Sequence, residues 1–177
     1  MIKRISVMCL LVLYTYTSFC MAWSSGIMER KKYHYDNDTY IHSYAVRTRF
    51  DTQEKNVSFL LEIKYNTKNE KTIKIPSIYI ITQKKGLVKP YTPKKATLTM
   101  DNNVWMPING ELNIGWDEDS NKTLHMILSE YEIELVKRLF DKDRATIGLT
   151  VYTTNGKVYR YSFDNEQIIE IRELLTK

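Results

Sequence analysis

Apolar and polar positions alternate through much of the first two thirds of the chain. The segments 39–50 (TYIHSYAVRTRF), 56–65 (NVSFLLEIKY) and 71–82 (KTIKIPSIYIIT) are rich in Tyr, Val, Ile, Phe and Thr, with short polar stretches between them. That pattern predicts β-strands joined by turns. Residues 23–32 (WSSGIMERKK) read as a lead-in. In the third segment Ile73, Ile75 and Ser77 alternate with Lys74 and Pro76. Proline has no N–H to give a ladder, so Pro76 predicts an edge strand or a bulge. Residues 83–95 contain Gly86, Pro90 and Pro93 and predict a loop. Shorter strand candidates follow at 96–100, 104–108 and 111–116, separated by the turns DNN and NG.

The last third changes period. In 129–140 (SEYEIELVKRLF) Leu135, Val136, Leu139 and Phe140 form one helical stripe, as an amphipathic helix requires. Ser129 and Glu132 have the spacing of a capping box, in which each side chain satisfies the other's amide. Glu130, Glu132 and Glu134 precede Lys137 and Arg138, the order that the helix dipole favours. Asn155-Gly156 then predicts a hairpin with a two-residue type I′ turn. Such a turn pairs Thr153 with Val158, Tyr152 with Tyr159 and Thr150 with Tyr161. It would gather Ile147, Leu149, Val151 and Val158 on one face, and Tyr152, Tyr159, Tyr161 and Phe163 on the other. A second helix is expected over 164–175, with Asp164 as N-cap and Gln167 three residues on.

The expected fold is α+β: a mainly antiparallel, sandwich-like sheet system with two C-terminal helices flanking the NG hairpin. The order of helix, hairpin and helix from Ser129 to Leu175 resembles the C-terminal layout of bacterial exported proteins related to invasion-associated locus B. It is a likeness of layout with no diagnostic motif.

Residues 1–22 (MIKRISVMCLLVLYTYTSFCMA) stand apart from this pattern. Lys3 and Arg4 precede an apolar run, and a polar Thr/Ser stretch ends in small Ala22. That is the order of a secretory signal peptide. The expectation is cleavage after Ala22, leaving residues 23–177 as one exported domain in the periplasm, the cell envelope or the extracellular medium. A retained N-terminal anchor and lipidation of Cys20 are the alternatives. The only cysteines are Cys9 and Cys20, so the mature chain would be disulfide-free and held by packing. Cleavage also removes Lys3 and Arg4 without any acid, lowering the net charge from +5 to +3. So mild an excess argues against nucleic acid as a partner.

The stretch HYDNDTYIH (34–42) gathers His34, His42, Asp36 and Asp38, all potential metal ligands. If Asn37-Asp38 is a two-residue turn, Tyr35 faces Tyr40 and His42 faces Tyr33. Strand alternation then puts the two histidines on opposite faces. A turn accounts for the Asp and Asn residues, and no metal site is expected. DEDSN (117–121) starts like a calcium loop but has Lys122 and Leu128 where Gly and Glu are needed. Sequons at Asn37, Asn56 and Asn121 would matter only in a eukaryotic secretory pathway.

For catalysis the inventory is thin. Cleavage leaves no thiol, and only His34, His42 and His125 titrate near neutrality. Neither a nucleophile elbow nor a cofactor loop is present, so no cofactor is expected. The chemistry points to a non-enzymatic binding or structural module more than to an enzyme. The alternative is a secreted hydrolase using carboxylates or His125. Two features suit binding. Lys84, Lys85, Lys89, Lys94 and Lys95 lie in an acid-free loop that could meet an anionic envelope surface. Tyr152, Tyr159 and Tyr161 could offer an aromatic platform for a glycan or a protein, or could pack beneath the closing helix.

Overall fold

A computed structural model describes residues 26–34, 39–51, 56–68, 71–83, 90–114 and 121–177. The proposed leader and the lysines Lys84, Lys85 and Lys89 lie outside them. The described strands are β1 (Met28–His34), β2 (Thr39–Asp51), β3 (Asn56–Lys68), β4 (Lys71–Gln83) and β5 (Pro93–Met100). They continue as β6 (Asn103–Ile108), β7 (Glu111–Ile114), β8 (Lys122–Ile127), β9 (Ile147–Thr153) and β10 (Val158–Ser162). Helix α1 (Glu130–Phe140) separates β8 from β9, and α2 (Asn165–Leu175) closes the chain. The strands form two antiparallel sheets, a six-stranded one in the order β1-β2-β3-β4-β8-β7 and a four-stranded one in the order β10-β9-β5-β6. The expected class, an antiparallel α+β sandwich with two C-terminal helices, is the observed one.

The core lies between the two sheets and under the helices. Alternate residues of the larger sheet point inward, among them Val46, Phe59, Leu61, Ile78, Ile80 and Leu124, all fully buried. They meet Leu98, Met106, Ile108, Leu149 and Val151 of the smaller sheet, with Val136, Leu139, Ile171 and Leu174 of the helices. Both helices start as expected. Ser129 Oγ accepts from the Glu132 N–H, and Glu132 Oε2 accepts from the Ser129 N–H at 2.8 Å. Asp164 and Gln167 repeat the exchange at 2.9 and 3.0 Å. Arg172 of α2 donates to the Phe140 carbonyl and pairs with Asp143 at 3.1 Å, fastening one helix to the end of the other. Trp105 Nε1 of β6 donates to the Leu135 carbonyl at 2.9 Å, fastening α1 to the smaller sheet.

Pro76 corrects the expectation of an edge strand or a bulge: β4 lies between β3 and β8, and its pairings show no register shift. β8 ends at Ile127, opposite Ser77. The Pro76 carbonyl accepts from the Leu128 N–H at 2.8 Å. A strand residue presents its N and its O to the same side, so the proline nitrogen also faces Leu128, and this pair at the end of β8 keeps one of the two bonds it could exchange.

The structure corrects several local expectations. The lead-in contains a strand, β1, and residues 122–127, which were not among the strand candidates, form β8. β5 begins three residues before the expected start, at Pro93. In the first hairpin Tyr33 pairs with Tyr40, His34 with Thr39 and His42 with Lys31. The four residues between the strands, 35–38, lie outside the described ones. The register therefore differs by two from that of an Asn37-Asp38 turn. Because the shift is even, the two histidines keep opposite parity on the ladder.

The NG hairpin differs by one residue, and that changes everything on its surface. The Gly156 N–H donates to the Thr153 carbonyl at 3.1 Å, and the Thr153 N–H donates to the Lys157 carbonyl at 3.0 Å. Gly156 has φ of +80°, whereas Asn155 is not among the positive-φ residues. This is a type I turn followed by a glycine bulge, not a type I′ turn. Val158 consequently faces Tyr152, Tyr159 faces Val151 and Tyr161 faces Leu149. A two-residue turn with two positive φ angles does occur, at Asp101 (50°) and Asn102 (65°) between β5 and β6.

Candidate functional site: the outer face of the smaller sheet

The one-residue slip divides the three tyrosines. Tyr159 and Tyr161 share the inward face with Val151 and Leu149, whereas Tyr152 lies on the outward face with Val158. Tyr161 is 9% exposed, stacks on Phe50 at 4.9 Å and shares a 3.1 Å hydrogen bond with the Tyr91 hydroxyl. Tyr159 is half-buried and stacks on Tyr91 at 4.6 Å. Burial, together with the shared hydrogen bond, pushes the Tyr91 hydroxyl far above the usual phenol range, and burial also raises that of Tyr161. Phe163 joins this group with edge-on contacts to Phe50, Phe59 and Phe140. The cover over Tyr161 is thus the end of the larger sheet and the chain at Tyr91, in place of the closing helix. No common platform of the three rings exists.

What remains on the outward face is a grid set by register. Its first row is Lys95, Tyr152 and Val158, and its second is Thr97, Thr150 and Arg160. The third row is Thr99, Gly148 and Ser162. Lys95 Nζ lies 4.8 Å above the Tyr152 ring, a cation held against an aromatic face. Lys94 is exposed beside it. Thr97, Thr99 and Thr150 are only 7%, 9% and 6% exposed although they point away from the core. The Thr97 hydroxyl has no hydrogen-bond partner among the described residues. The three rows contain two cations and no carboxylate.

A recess of about 80 Å³ opens at the lower rows, lined by Thr99, Asn102, Thr146, Gly148, Thr150, Arg160, Tyr161 and Ser162. Gly148 lines it where neighbouring atoms pass closely over the backbone. A Cβ there would stand 2.7 Å from the Thr99 hydroxyl and 2.8 Å from the Tyr161 carbonyl, closer than any side chain tolerates. The tight Asp101-Asn102 turn brings Asn102 to the rim, and mutual bonds between Asp101 and Thr146 hold it there: N–H to carbonyl, and N–H to Oδ1, each 2.9 Å. Arg160 is exposed and forms no ion pair among the described residues.

A second polar group lies on the outer face of the larger sheet. His125 stacks on Tyr79 at 4.4 Å with the rings 9° apart. Tyr79 donates to Glu62 at 3.1 Å. Burial, with the Glu62 charge behind it, pushes the Tyr79 hydroxyl up to about 12. Burial, helped by Lys64, lowers His125 below its usual value, and Nε2 is buried without a partner. The ring is covered on one side by Tyr79, and its neighbours along the row are Tyr79 and Glu111. Among the described residues no hydroxyl or thiol is hydrogen-bonded to His125 Nε2.

His42 Nε2 donates to Glu29 Oε1 at 2.8 Å, and the ring packs on Tyr44 at 4.5 Å. Among the described residues no group of three His, Cys, Asp or Glu is placed to hold a metal ion, and no helix is long and apolar enough to cross a membrane. Comparison of the chain with protein-family models, with curated proteins and with solved structures finds no match.

Proposed function

We propose that the protein is an exported, non-enzymatic binding module that meets its partner with the outer face of the β10-β9-β5-β6 sheet. The observation that carries this reading is the grid itself. An outward sheet face usually carries well-solvated polar side chains. Here two nearly buried threonines, Thr99 and Thr150, line a recess together with Arg160, and the Lys95–Tyr152 pair lies on the same face. Polar donors converging on a concavity beside an aromatic ring are the features of a recognition surface. Export rests on the order of charge, apolar run and small residue in 1–22. The rival reading, a secreted hydrolase using carboxylates or His125, has less support, because the imidazole is stacked flat on a tyrosine and its Nε2 meets no hydroxyl or thiol among the described residues.

The test is a binding screen of the chain against soluble glycans, envelope peptides and phospholipid vesicles. It is repeated with the combined variant Lys95→Gln, Tyr152→Ser, Arg160→Gln. A partner whose binding falls at least about tenfold in the variant supports the reading, that being the scale of losing charge-assisted contacts. Partners bound equally well by both proteins, or no binding at all, would overturn it.

A further inference from the structure

We infer that the recess between β5, β9 and β10 is a site for a tetrahedral oxyanion, a phosphate or sulfate group, free or esterified. The inference rests on the reading of this face as a recognition surface and specifies its chemistry. The polar residues lining the recess include Thr99, Thr150 and Ser162, which carry hydroxyls, Asn102, which carries an amide, and Arg160, which carries a guanidinium. Each hydroxyl can turn its proton toward an acceptor, and the guanidinium offers a planar fork that matches two oxygens of one anion. Arg160 is the sole charged residue lining the recess, so a negative partner suits it. Asp101, on the turn beside Asn102, has Oδ1 engaged by the Thr146 N–H at 2.9 Å. At about 80 Å³ the space holds a few waters or one small polyatomic ion, and it is too small for a whole sugar or a side-chain ring.

The register explains why such a site forms here. Thr150 sits between Thr97 and Arg160 on neighbouring strands, and Gly148 sits between Thr99 and Ser162. Arg160 thus comes beside Thr150, and Gly148 adds no side chain between Thr99 and Ser162. Thr97, in the same row as Thr150 and Arg160, does not line the recess, and its buried hydroxyl has no hydrogen-bond partner among the described residues. Lys95 and Lys94 at the top of the same sheet add a positive field around the opening.

The test is isothermal titration of the full chain with inorganic phosphate and with sulfate at fixed ionic strength. It is accompanied by sedimentation with phosphatidylcholine vesicles that do or do not contain phosphatidic acid. Saturable one-to-one binding is expected, weakened at least about tenfold in Arg160→Gln, with a smaller loss in Thr150→Val. Arg160 is exposed and Thr150→Val preserves shape, so unchanged melting temperatures certify both folds. Response to the inorganic ions assigns a free or generally esterified anion. Response to phosphatidate vesicles alone, lost in Arg160→Gln, assigns a lipid-borne phosphate. No response of the wild type to any of these probes, or equal binding by Arg160→Gln, overturns the inference. If the combined face variant still loses a partner found by the screen while phosphate, sulfate and phosphatidate all fail, the oxyanion is wrong and the recognition face survives. If that variant loses nothing, both fall.

Discussion

Truncating the tyrosines one at a time measures the hairpin register directly, because the slip of one residue assigns them different surroundings. Tyr161 is 9% exposed, stacked on Phe50 and bonded to Tyr91. A tyrosine buried to this degree hides about 200 Å². At ~25 cal/mol per Å² that is roughly 5 kcal/mol of transfer free energy, an upper bound because the denatured chain already conceals part of it. Tyr161→Ala should therefore cost about 3–5 kcal/mol, the range for a large ring removed from a core. Tyr161→Phe keeps the stack and removes only the bond to Tyr91, at about 1–2 kcal/mol, because it strands a buried hydroxyl. Tyr159 is half-buried with one ring contact, so Tyr159→Ala should cost about 2 kcal/mol. Tyr152 lies on the outward face, and Tyr152→Ala should cost less than about 1 kcal/mol. Urea unfolding followed by circular dichroism gives each value, with a constant m as the check that the unfolded state is unchanged. Equal losses at Tyr152 and Tyr161 would refute the register. So would a loss below about 1 kcal/mol for Tyr161→Ala.

Two further predictions concern single residues. Gly156→Val should destabilise the fold by roughly 1–3 kcal/mol through backbone strain at φ of +80°. No atom lies within 4 Å of the added Cβ, so Gly156→Asn, which tolerates that φ, should recover most of the loss in the same unfolding assay; equal losses in both would refute the strain argument. His125 has a lowered folded pKa, chiefly from burial, so the unfolded chain binds the extra proton first as pH falls. The His125 contribution is then present above the unfolded value near 6.5 and lost progressively as pH falls through the folded one. Urea midpoints measured from pH 7.5 to 5 should decline less steeply in His125→Gln; an identical slope would refute this.

Local signals were read well where local physics decides the outcome. Both helices and both capping boxes follow from side chains three residues apart. The three long strands follow from composition and period. The hairpin at Asn155-Gly156 shows where that kind of reading stops. The dipeptide supports either a type I′ turn or a glycine bulge. The choice depends on whether Asn155 or Thr153 gains the better bonds, and Thr153 Oγ1 reaches both Asn155 Oδ1 (2.5 Å) and the Lys157 carbonyl (2.8 Å). β1 escaped notice because it is an edge strand rich in charge, Glu29 to Lys32, which is how edges avoid pairing with other chains. β8 alternates Leu124 and Met126 inward with Thr123 and His125 outward, and a stricter count of period two would have found it. The recess had no local trace. Thr99 and Gly148 meet only through pairing between strands on either side of α1, so neither spacing nor composition announces them.

The order in which the chain visits the two sheets bears on how the protein assembles. β1 to β4 form a meander of neighbouring hairpins, β5 and β6 start the second sheet, and β7 and β8 return to the first. Only after α1 does the chain supply β9, whose pairing with β5 draws the second sheet together. Each layer is thus left unfinished until the chain has crossed to the other and back. The meander can form early through contacts close in sequence, but its apolar face is only partly covered, by residues such as Leu98, Met106 and Ile108, until the last third is available. The β5–β9 pairing joins strands on either side of α1 and so carries a larger loop-closure cost than the neighbouring hairpins. A lesion in the closing strands would therefore release the whole molecule as one cooperative unit, with the inner face of the meander as its most aggregation-prone surface.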